Sequence, residues 1–190
     1  MNTKGKFLIA AGIAFLLAFS VGAQGYNLKS PIAAKPAFLT SAGQSADIEM
    51  VKVLLDRAKL EYKADALAKS GALKAAGSKT LLIAIGGSSK GLGAAGVSQD
   101  VELARVKDLV AEAKKLGLKI IGVHVGGEAR RGELSDGFIE AIVPLCDYVI
   151  VVAEGNKDGL FTKLCGQAKI VLDSVDKISK VGDPLSKAFR

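Results

Sequence analysis

Residues 80–90 read Thr-Leu-Leu-Ile-Ala-Ile-Gly-Gly-Ser-Ser-Lys, and the first six of them decide the fold. Every position after Thr80 is apolar up to Ile85, without the alternation of a half-exposed strand. Such a run is typical of a central parallel strand that is buried on both faces of its sheet. Parallel strands need long crossover connections, so the rest of the chain should alternate between strands and helices.

The chain alternates in this way on both sides of that strand. Other strands are predicted at 37–40, near Tyr62, at 118–125, at 148–153 and, as an edge strand, at 168–172. Helices are predicted at 46–60, 65–75, 99–116, 133–145 and 160–165, with one more at the C-terminus. Right-handed crossovers then give a single three-layer, doubly wound α/β domain over residues 37–190, with a mostly parallel five- or six-stranded sheet. We favour the strand order 2-1-3-4-5, with 3-2-1-4-5 as the alternative.

The N-terminus has the pattern of a signal peptide. Basic residues precede an uncharged apolar run at 7–19, which ends in Ser20-Val21-Gly22-Ala23. A basic start, an apolar middle and small residues at the cleavage site predict a signal peptide over residues 1–23. A membrane anchor would need about 20 apolar residues, so no stable membrane insertion is expected after cleavage. The protein is therefore predicted to be exported, to the periplasm or beyond the cell, with an extended lead-in at 24–36.

The charge of the predicted mature chain does not suggest a nucleic-acid partner. Loss of Lys4 and Lys6 with the signal peptide lowers the formal net charge from +7 to +5, because no acidic residue is lost with them. The remaining lysines lie among acidic residues on predicted helix faces, and few aromatic side chains are present to stack on bases. A solvated basic face accounts for this pattern, so we expect no nucleic-acid binding.

The two cysteines matter if the chain is exported, because an oxidising compartment permits disulfides. Cys146 lies just before the 148–153 strand and Cys165 ends the helix that returns from it, so both should lie at the same end of the sheet. A bridge would close a loop of about 20 residues and stabilise the fold by about 3 kcal/mol. Two buried thiols are the alternative, and the sequence leaves both open.

Loops rich in glycine and in hydroxyl or charged residues follow the strands, so they should meet at one edge of the sheet. In open α/β sheets, ligands bind beyond the carboxyl ends of the strands, near the point where the strand order reverses. Glycine lets the backbone approach a ligand, and unpaired N–H groups at helix starts favour anions. The predicted ligand-binding residues are Ser41, Gly43, Gln44, Ser45, Gly86, Gly87, Ser88, Ser89, Lys90, Gly91, Gly93, Gly126, Gly127, Arg130, Arg131, Asn156, Lys157 and Asp158.

This pattern predicts an extracytoplasmic domain that binds a small anionic molecule, with Lys90, Arg130 and Arg131 supplying positive charge. Tight turns that bind nothing are the alternative explanation of the glycines. Gly91-Leu92-Gly93-Ala94-Ala95-Gly96 also matches the dinucleotide signature G-x-G-x-x-G. However, Ser88-Ser89-Lys90 separate this signature from the strand, so dinucleotide binding is less favoured and no cofactor is specified.

An enzyme that uses the same edge is the main alternative function. His124 is the only histidine and falls two residues before Gly126-Gly127, where it could act as an acid or base with support from Glu128. The enzyme would then be a secreted hydrolase or transferase, although the chain has no G-x-S-x-G elbow. A hydrogen-bonded core histidine is the other interpretation, and the absence of metal-ligand spacing predicts no metal site. A pure interaction module is a further alternative, and the oligomeric state is left open.

The sequence of these loops resembles a family of exported bacterial proteins described only as a domain of unknown function. The resemblance lies in residues 40–47, 86–96, 124–131 and 155–159, and it extends from Ala37 to the C-terminus. It implies a Rossmann-like or flavodoxin-like fold with a site at the loop edge. It brings no activity with it.

Overall fold

The computed structural model of this chain describes residues 26–189. The predicted signal peptide and the start of the lead-in lie outside the described residues. Within the described range, the strands are β1 (Ala37–Ala42), β2 (Tyr62–Ala64), β3 (Thr80–Ile85), β4 (Lys119–His124), β5 (Tyr148–Val152) and β6 (Val171–Val175). The helices are α1 (Asp47–Arg57), α2 (Ala72–Ala75), α3 (Ser89–Ala95), α4 (Gln99–Lys115), α5 (Glu133–Ile142), α6 (Leu160–Ala168) and α7 (Gly182–Ala188).

The strands form one parallel sheet in the order β2-β1-β3-β4-β5-β6. This confirms the predicted 2-1-3-4-5 order, and the predicted edge strand is the sixth strand, beside β5. The alternative order 3-2-1-4-5 is wrong. The order reverses between β1 and β3, because the chain returns from β2 on one side of β1 to β3 on the other. That reversal is the place where sheets of this kind usually hold a ligand.

Helices cover both faces of the sheet. Alternate residues of β3 point to opposite faces, so Leu81 and Ile83 pack into one apolar cluster while Leu82 and Ala84 pack into the other. Helices α4, α5 and α6 close the first cluster, and α1 and α7 close the second. Burying one leucine or isoleucine contributes about 1.5–3 kcal/mol, so this uninterrupted apolar strand stabilises both halves of the core. The predicted three-layer domain is confirmed.

Three elements differ most from the sequence-based prediction. The helix predicted at 65–75 is confined to α2 (Ala72–Ala75), which follows Gly71 in a left-handed conformation. Part of the loop after β3 is a helix, α3, which Ser88 begins by accepting a hydrogen bond from the Gly91 N–H (3.0 Å). Helix α6 continues to Ala168, and Lys169 then adopts a left-handed conformation that ends it. The edge strand therefore begins at Val171 instead of residue 168.

The lead-in lies against the last strand and the last helix. The Asn27 N–H donates to Asp173 Oδ1 (2.6 Å), and the Tyr148 hydroxyl donates to Oδ2 of the same carboxylate (2.6 Å). Further along, the Ala33 N–H donates to Ala188 O (2.8 Å). Buried polar groups need such partners, and these bonds hold both ends of the described chain at one corner of the domain.

Cys146 and Cys165 are free, buried thiols in the structure, which corresponds to the second alternative that the sequence left open. Both belong to the cluster beneath α5 and α6. Burial raises the pKa of Cys165 to about 11, and it raises the pKa of Cys146 still further.

Among residues 26–189, none of the helices has both the length and the apolar character needed to cross a bilayer.

Candidate functional site

Backbone fills the crevice where the strand order reverses. Gly43 O accepts a hydrogen bond from the Ser88 N–H (2.9 Å), and Gln44 pairs with Gly87 in an isolated antiparallel bridge. Gly91 lies so close to Gln44 O that a Cβ at that position would clash with the carbonyl. The glycines of this region let two loops come into direct contact. This contact is an explanation of the glycines that does not require a ligand.

An ion pair that the sequence analysis did not identify lies beneath these loops. Glu102 is fully buried in α4, and its Oε2 lies 2.7 Å from Arg105 Nε. The other four N–H groups of Arg105 donate to Glu102 Oε1, Ser41 O, Thr40 Oγ1 and Ala68 O. Glu102 Oε1 also accepts from Gln44 Nε2 (2.9 Å) and from the Gly43 N–H (3.1 Å). The network holds the loop after β1 against α4. The Gln44 side chain therefore has a structural role, because its amide donates to Glu102.

Two predicted serines, Ser41 near the end of β1 and Ser45 in the loop after it, are buried as well. Ser45 Oγ accepts a hydrogen bond from the Asp47 N–H at the start of α1 (3.2 Å). Ser41 is fully buried, and its hydroxyl has no hydrogen-bond partner among the described residues. Neither hydroxyl is exposed at the loop edge, where the sequence-based hypothesis needed a donor.

Arg131 is held by partners from α5 and from a neighbouring loop. Its Nε donates to Asp136 (2.6 Å), one terminal nitrogen donates to Gly155 O (2.5 Å), and both terminal nitrogens donate to Asp158. The side chain is only 10% exposed. The hydrogen bonds from Arg131 lower the pKa of Asp158 below its ordinary value. Arg131 therefore joins the β4 and β5 loops, and four of its five N–H groups are used within the fold.

The other predicted residues of the β5 loop also have structural partners. Asn156 Oδ1 accepts from the Phe161 N–H (3.0 Å) in the first turn of α6. Lys157 pairs with Glu128 across the surface (2.7 Å), and both side chains are mostly exposed. The hydrogen bond from Lys157 lowers the pKa of Glu128. The β5 loop is therefore held in place by contacts with α6 and with the loop after β4.

His124 is fully buried at the end of β4. Its Nδ1 lies 2.8 Å from Ile85 O, its ring centroid is 5.1 Å from that of Phe161, and Gly155 packs against the imidazole. Burial lowers the pKa of His124, so the neutral form is favoured. This geometry fits a core histidine, and it gives no support to the hydrolase or transferase alternative, which stays a prediction.

One cavity of about 610 Å³ adjoins the loop that follows β4 and is lined by Gly127, Glu128, Ala129, Glu154 and Lys157, so it contains the Lys157–Glu128 pair. Two further cavities, of about 290 Å³ each, adjoin the same loop. The first, called the α5 cavity, lies between the starts of α3 and α5 and is lined by Gly87, Ser88, Ser89 and residues 129–135. The second, called the α1 cavity, is lined by Ala46, Asp47, Met50, Val125, Gly126, Gly127, Arg130 and Ile178. Arg130 lines both of them.

Arg130 differs from its neighbour Arg131 in having no partner. It is exposed, and its guanidinium makes no hydrogen bond or ion pair with residues 26–189. Its stem rests on Gly126, where a Cβ would lie 2.5 Å from Arg130 Cβ. Lys90 and Gly93 are exposed on α3 nearby. Of the three predicted cations, Lys90 and Arg130 have no hydrogen bond or ion pair with residues 26–189, and Arg130 is the one of these two that lines the cavities.

The start of α5 forms one wall of the α5 cavity. Its N-cap is Gly132, with φ +135°, and no side chain caps the helix. The first N–H groups of a helix have no acceptor within it, so they can bind an anion. Ser135 Oγ accepts from the Gly87 N–H (3.0 Å) and closes the base of the cavity. Glu133 also lines the cavity and adds one negative charge.

A larger cavity, of about 640 Å³, lies elsewhere, between residues 67–70 and α4. Its lining is mainly apolar, and its arginine is Arg105, whose donors are all used within the fold. A ligand site needs convergent polar groups as well as volume, so we place the candidate site at the two cavities that share Arg130.

A sequence comparison identifies the family. A domain of unknown function (DUF6305) matches residues 34–189, which include all six strands. The chain belongs to the DUF6305 family. No curated protein similar to this chain was found. The family resemblance inferred from the loop sequences is thus confirmed.

In this DUF6305 domain, the loop edge brings together only part of the predicted set. Gly87, Ser88, Ser89, Arg130 and Arg131 meet around the α5 cavity. Asp47, which lines the α1 cavity, was not predicted, because an acid in the first turn of a helix usually serves the helix dipole. Among residues 26–189, no group of three or more His, Cys, Asp or Glu side chains could hold a metal ion.

Proposed function

We propose that this protein is an exported domain that binds a small anionic molecule through Arg130. The observation that carries the proposal is the contrast between adjacent arginines. Arg131 is held by two carboxylates and a carbonyl, whereas Arg130 is exposed at the mouth of two cavities without any such partner. A guanidinium kept out of the internal ion pairs is available to an external carboxylate or phosphate.

The surroundings of Arg130 favour a small anion over a polyanion. The guanidinium fork matches a carboxylate or phosphate in two-point geometry. The uncapped start of α5 and the exposed Ser89 hydroxyl add neutral donors at the same cavity. Glu133 limits the positive charge of this wall, which suits a compact ligand and disfavours nucleic acid.

Binding is tested by thermal unfolding of the purified protein with phosphate, acetate, lactate and citrate. A ligand at 100 times its Kd stabilises a protein by about 2.7 kcal/mol, which corresponds to roughly 5–10 °C for a domain of this size. Arg130→Gln should abolish the shift. Arg57→Gln is the matched control, since it removes the same charge at the far end of α1. If no anion shifts the transition, or if Arg130→Gln responds like the parent protein, the proposal is wrong.

Export rests on the N-terminal pattern of two lysines, an apolar run and small residues before Gln24. N-terminal sequencing of the protein recovered from outside the cytoplasm should give Gln24 as the first residue. A chain that keeps residues 1–23 and stays in the cytoplasm would contradict export and leave the anion site unaffected.

A further inference from the structure

The α1 cavity contains a carboxylate that the fold leaves without a partner. Asp47 is only 8% exposed, and its Oδ2 is fully buried without a hydrogen-bond donor among the described residues. Buried carboxylates are normally paired or hydrogen-bonded, because burial without a donor is costly. The cavity beside Asp47 is therefore the place from which a donor could come.

The neighbours of Asp47 do not supply that donor. Gly86 lies beside the carboxylate, with a Cβ position 3.1 Å from Oδ2, and it has no side chain to offer. Ser45 Oγ accepts from the Asp47 N–H, and its hydroxyl makes no hydrogen bond to Asp47 Oδ2. His124 is the titratable neighbour inside the core, and its burial favours the neutral form. The remaining stabilisation comes from the positive end of α1, where Asp47 is the first residue.

Arg130 lines the same cavity, yet it makes no ion pair with Asp47 within 4.0 Å. Met50, Val125 and Ile178 provide apolar walls for this cavity. A small cavity with apolar walls is thus lined by both an acid and a base, and the two form no ion pair with each other. A ligand with one positive and one negative group would satisfy both charges at once.

We propose that the α1 cavity binds a small zwitterion of the amino-acid type, with its ammonium on Asp47 and its carboxylate on Arg130. This inference rests on the proposed anion site at Arg130 and narrows its ligand class. An ammonium has three donors for a carboxylate, and a carboxylate matches the guanidinium fork. A volume of about 290 Å³ with apolar walls suits a short aliphatic side chain.

Two other ligand classes fit this cavity less well. A simple anion would leave Asp47 without a donor and would bring a second negative charge close to it. A calcium ion needs about six to eight oxygen ligands, whereas Asp47 is the single carboxylate among the residues that line the cavity. A zwitterion serves both unpaired groups without a further ligand.

The test compares three molecules of matched shape by isothermal titration calorimetry on the purified protein. L-Valine carries both charges, isovalerate lacks the ammonium, and isobutylamine lacks the carboxylate. L-Valine should bind about tenfold or more tightly than either analogue, because each lost contact is a charged hydrogen bond. Asp47→Asn should remove the advantage of valine over isovalerate, and Arg130→Gln should weaken both. Asp100→Asn, an exposed first-turn acid of α4, is the matched control.

Met50→Lys provides a second variant if Asp47→Asn does not fold. Met50 is 43% exposed, so a lysine at this position is tolerated and brings a tethered ammonium to the cavity. It should abolish the preference for valine over isovalerate. If isovalerate binds as well as valine, or if only inorganic phosphate binds, the zwitterion inference is wrong and the anion proposal stands. If neither valine nor isovalerate binds, the zwitterion inference is wrong, and if in addition no anion shifts the thermal transition, the anion proposal is wrong as well.

Discussion

Removal of Glu102 should destabilise the protein more than any surface substitution. Glu102 is fully buried, and the side chain of Arg105 is 9% exposed. Glu102→Ala would leave that guanidinium buried without its anion. It would also remove the acceptor of the Gly43 N–H and one of the two acceptors of the Gln44 amide. The perturbation therefore reaches the loop next to the candidate site as well as α4.

The magnitude follows from the burial of the pair. Breaking a buried ion pair by removing one partner costs about 3–5 kcal/mol, against a total stability of about 5–15 kcal/mol for a typical domain. For a domain of this size, that loss lowers Tm by roughly 6–20 °C. Replacing both charges by apolar residues, as in Glu102→Met with Arg105→Leu, should recover most of the loss, because no buried charge is then left unpaired.

The assay is urea unfolding followed by far-UV circular dichroism at pH 7, without ligand. Lys119→Ala is the control, because Lys119 pairs with Asp147 at the surface, where the side chains are 48% and 33% exposed. An exposed pair contributes less than about 1 kcal/mol. If Glu102→Ala costs no more than this control, water must reach Arg105 freely, and the account of a buried network would have to be abandoned.

Three further predictions follow from buried groups. Burial lowers the pKa of His124, so below the ordinary value of about 6.5 the unfolded chain binds a proton that the folded chain does not. The free energy of unfolding should therefore fall between pH 7 and 5.5, and His124→Asn should remove that decrease. Cys146 and Cys165 should resist iodoacetamide at pH 8 in the native protein, as mass spectrometry would show. Asp173→Ala should lower the free energy of unfolding by about 2 kcal/mol or more, since it leaves the buried Tyr148 hydroxyl without its acceptor.

Each of these predictions has an outcome that contradicts it. An unchanged pH slope in His124→Asn would mean that His124 titrates normally in the fold. Rapid alkylation of the native protein would mean that Cys146 or Cys165 is accessible. If neither thiol reacts after unfolding without reductant, the two are bridged, as the other sequence-based alternative has it. Asp173→Ala with parental stability would mean that water replaces the lost acceptor.

The sequence predicted the sheet well because its central strands are continuous apolar runs. β3 and β5 are buried at every position, and that pattern admits few other structures. Helix α3 was missed because its glycines have low helix propensity. It forms through the Ser88 cap and the burial of Leu92, and tertiary packing of this kind overrides local preference.

The site was harder to predict than the fold. The direction of the strands predicts which loops lie at the same edge of the sheet. Whether a charged side chain in those loops is free to bind a ligand depends on contacts with residues that are distant in sequence. Arg130 and Arg131 are adjacent and identical in type, and only Arg131 meets Asp158, which is 27 residues away in sequence. Similarly, an unpaired carboxylate at Asp47 is visible only once Gly86 and the end of β4 are packed around it.

The bonds from Asn27 to Asp173 and from Ala33 to Ala188 bring the beginning and end of the described chain to one corner. A short peptide could join them into a ring, and the ring could be reopened at the exposed turn around Gly77 between α2 and β3. Such a circular permutant would keep every strand neighbour and both helical layers. The order in which the gene specifies these elements is thus separable from the way they pack.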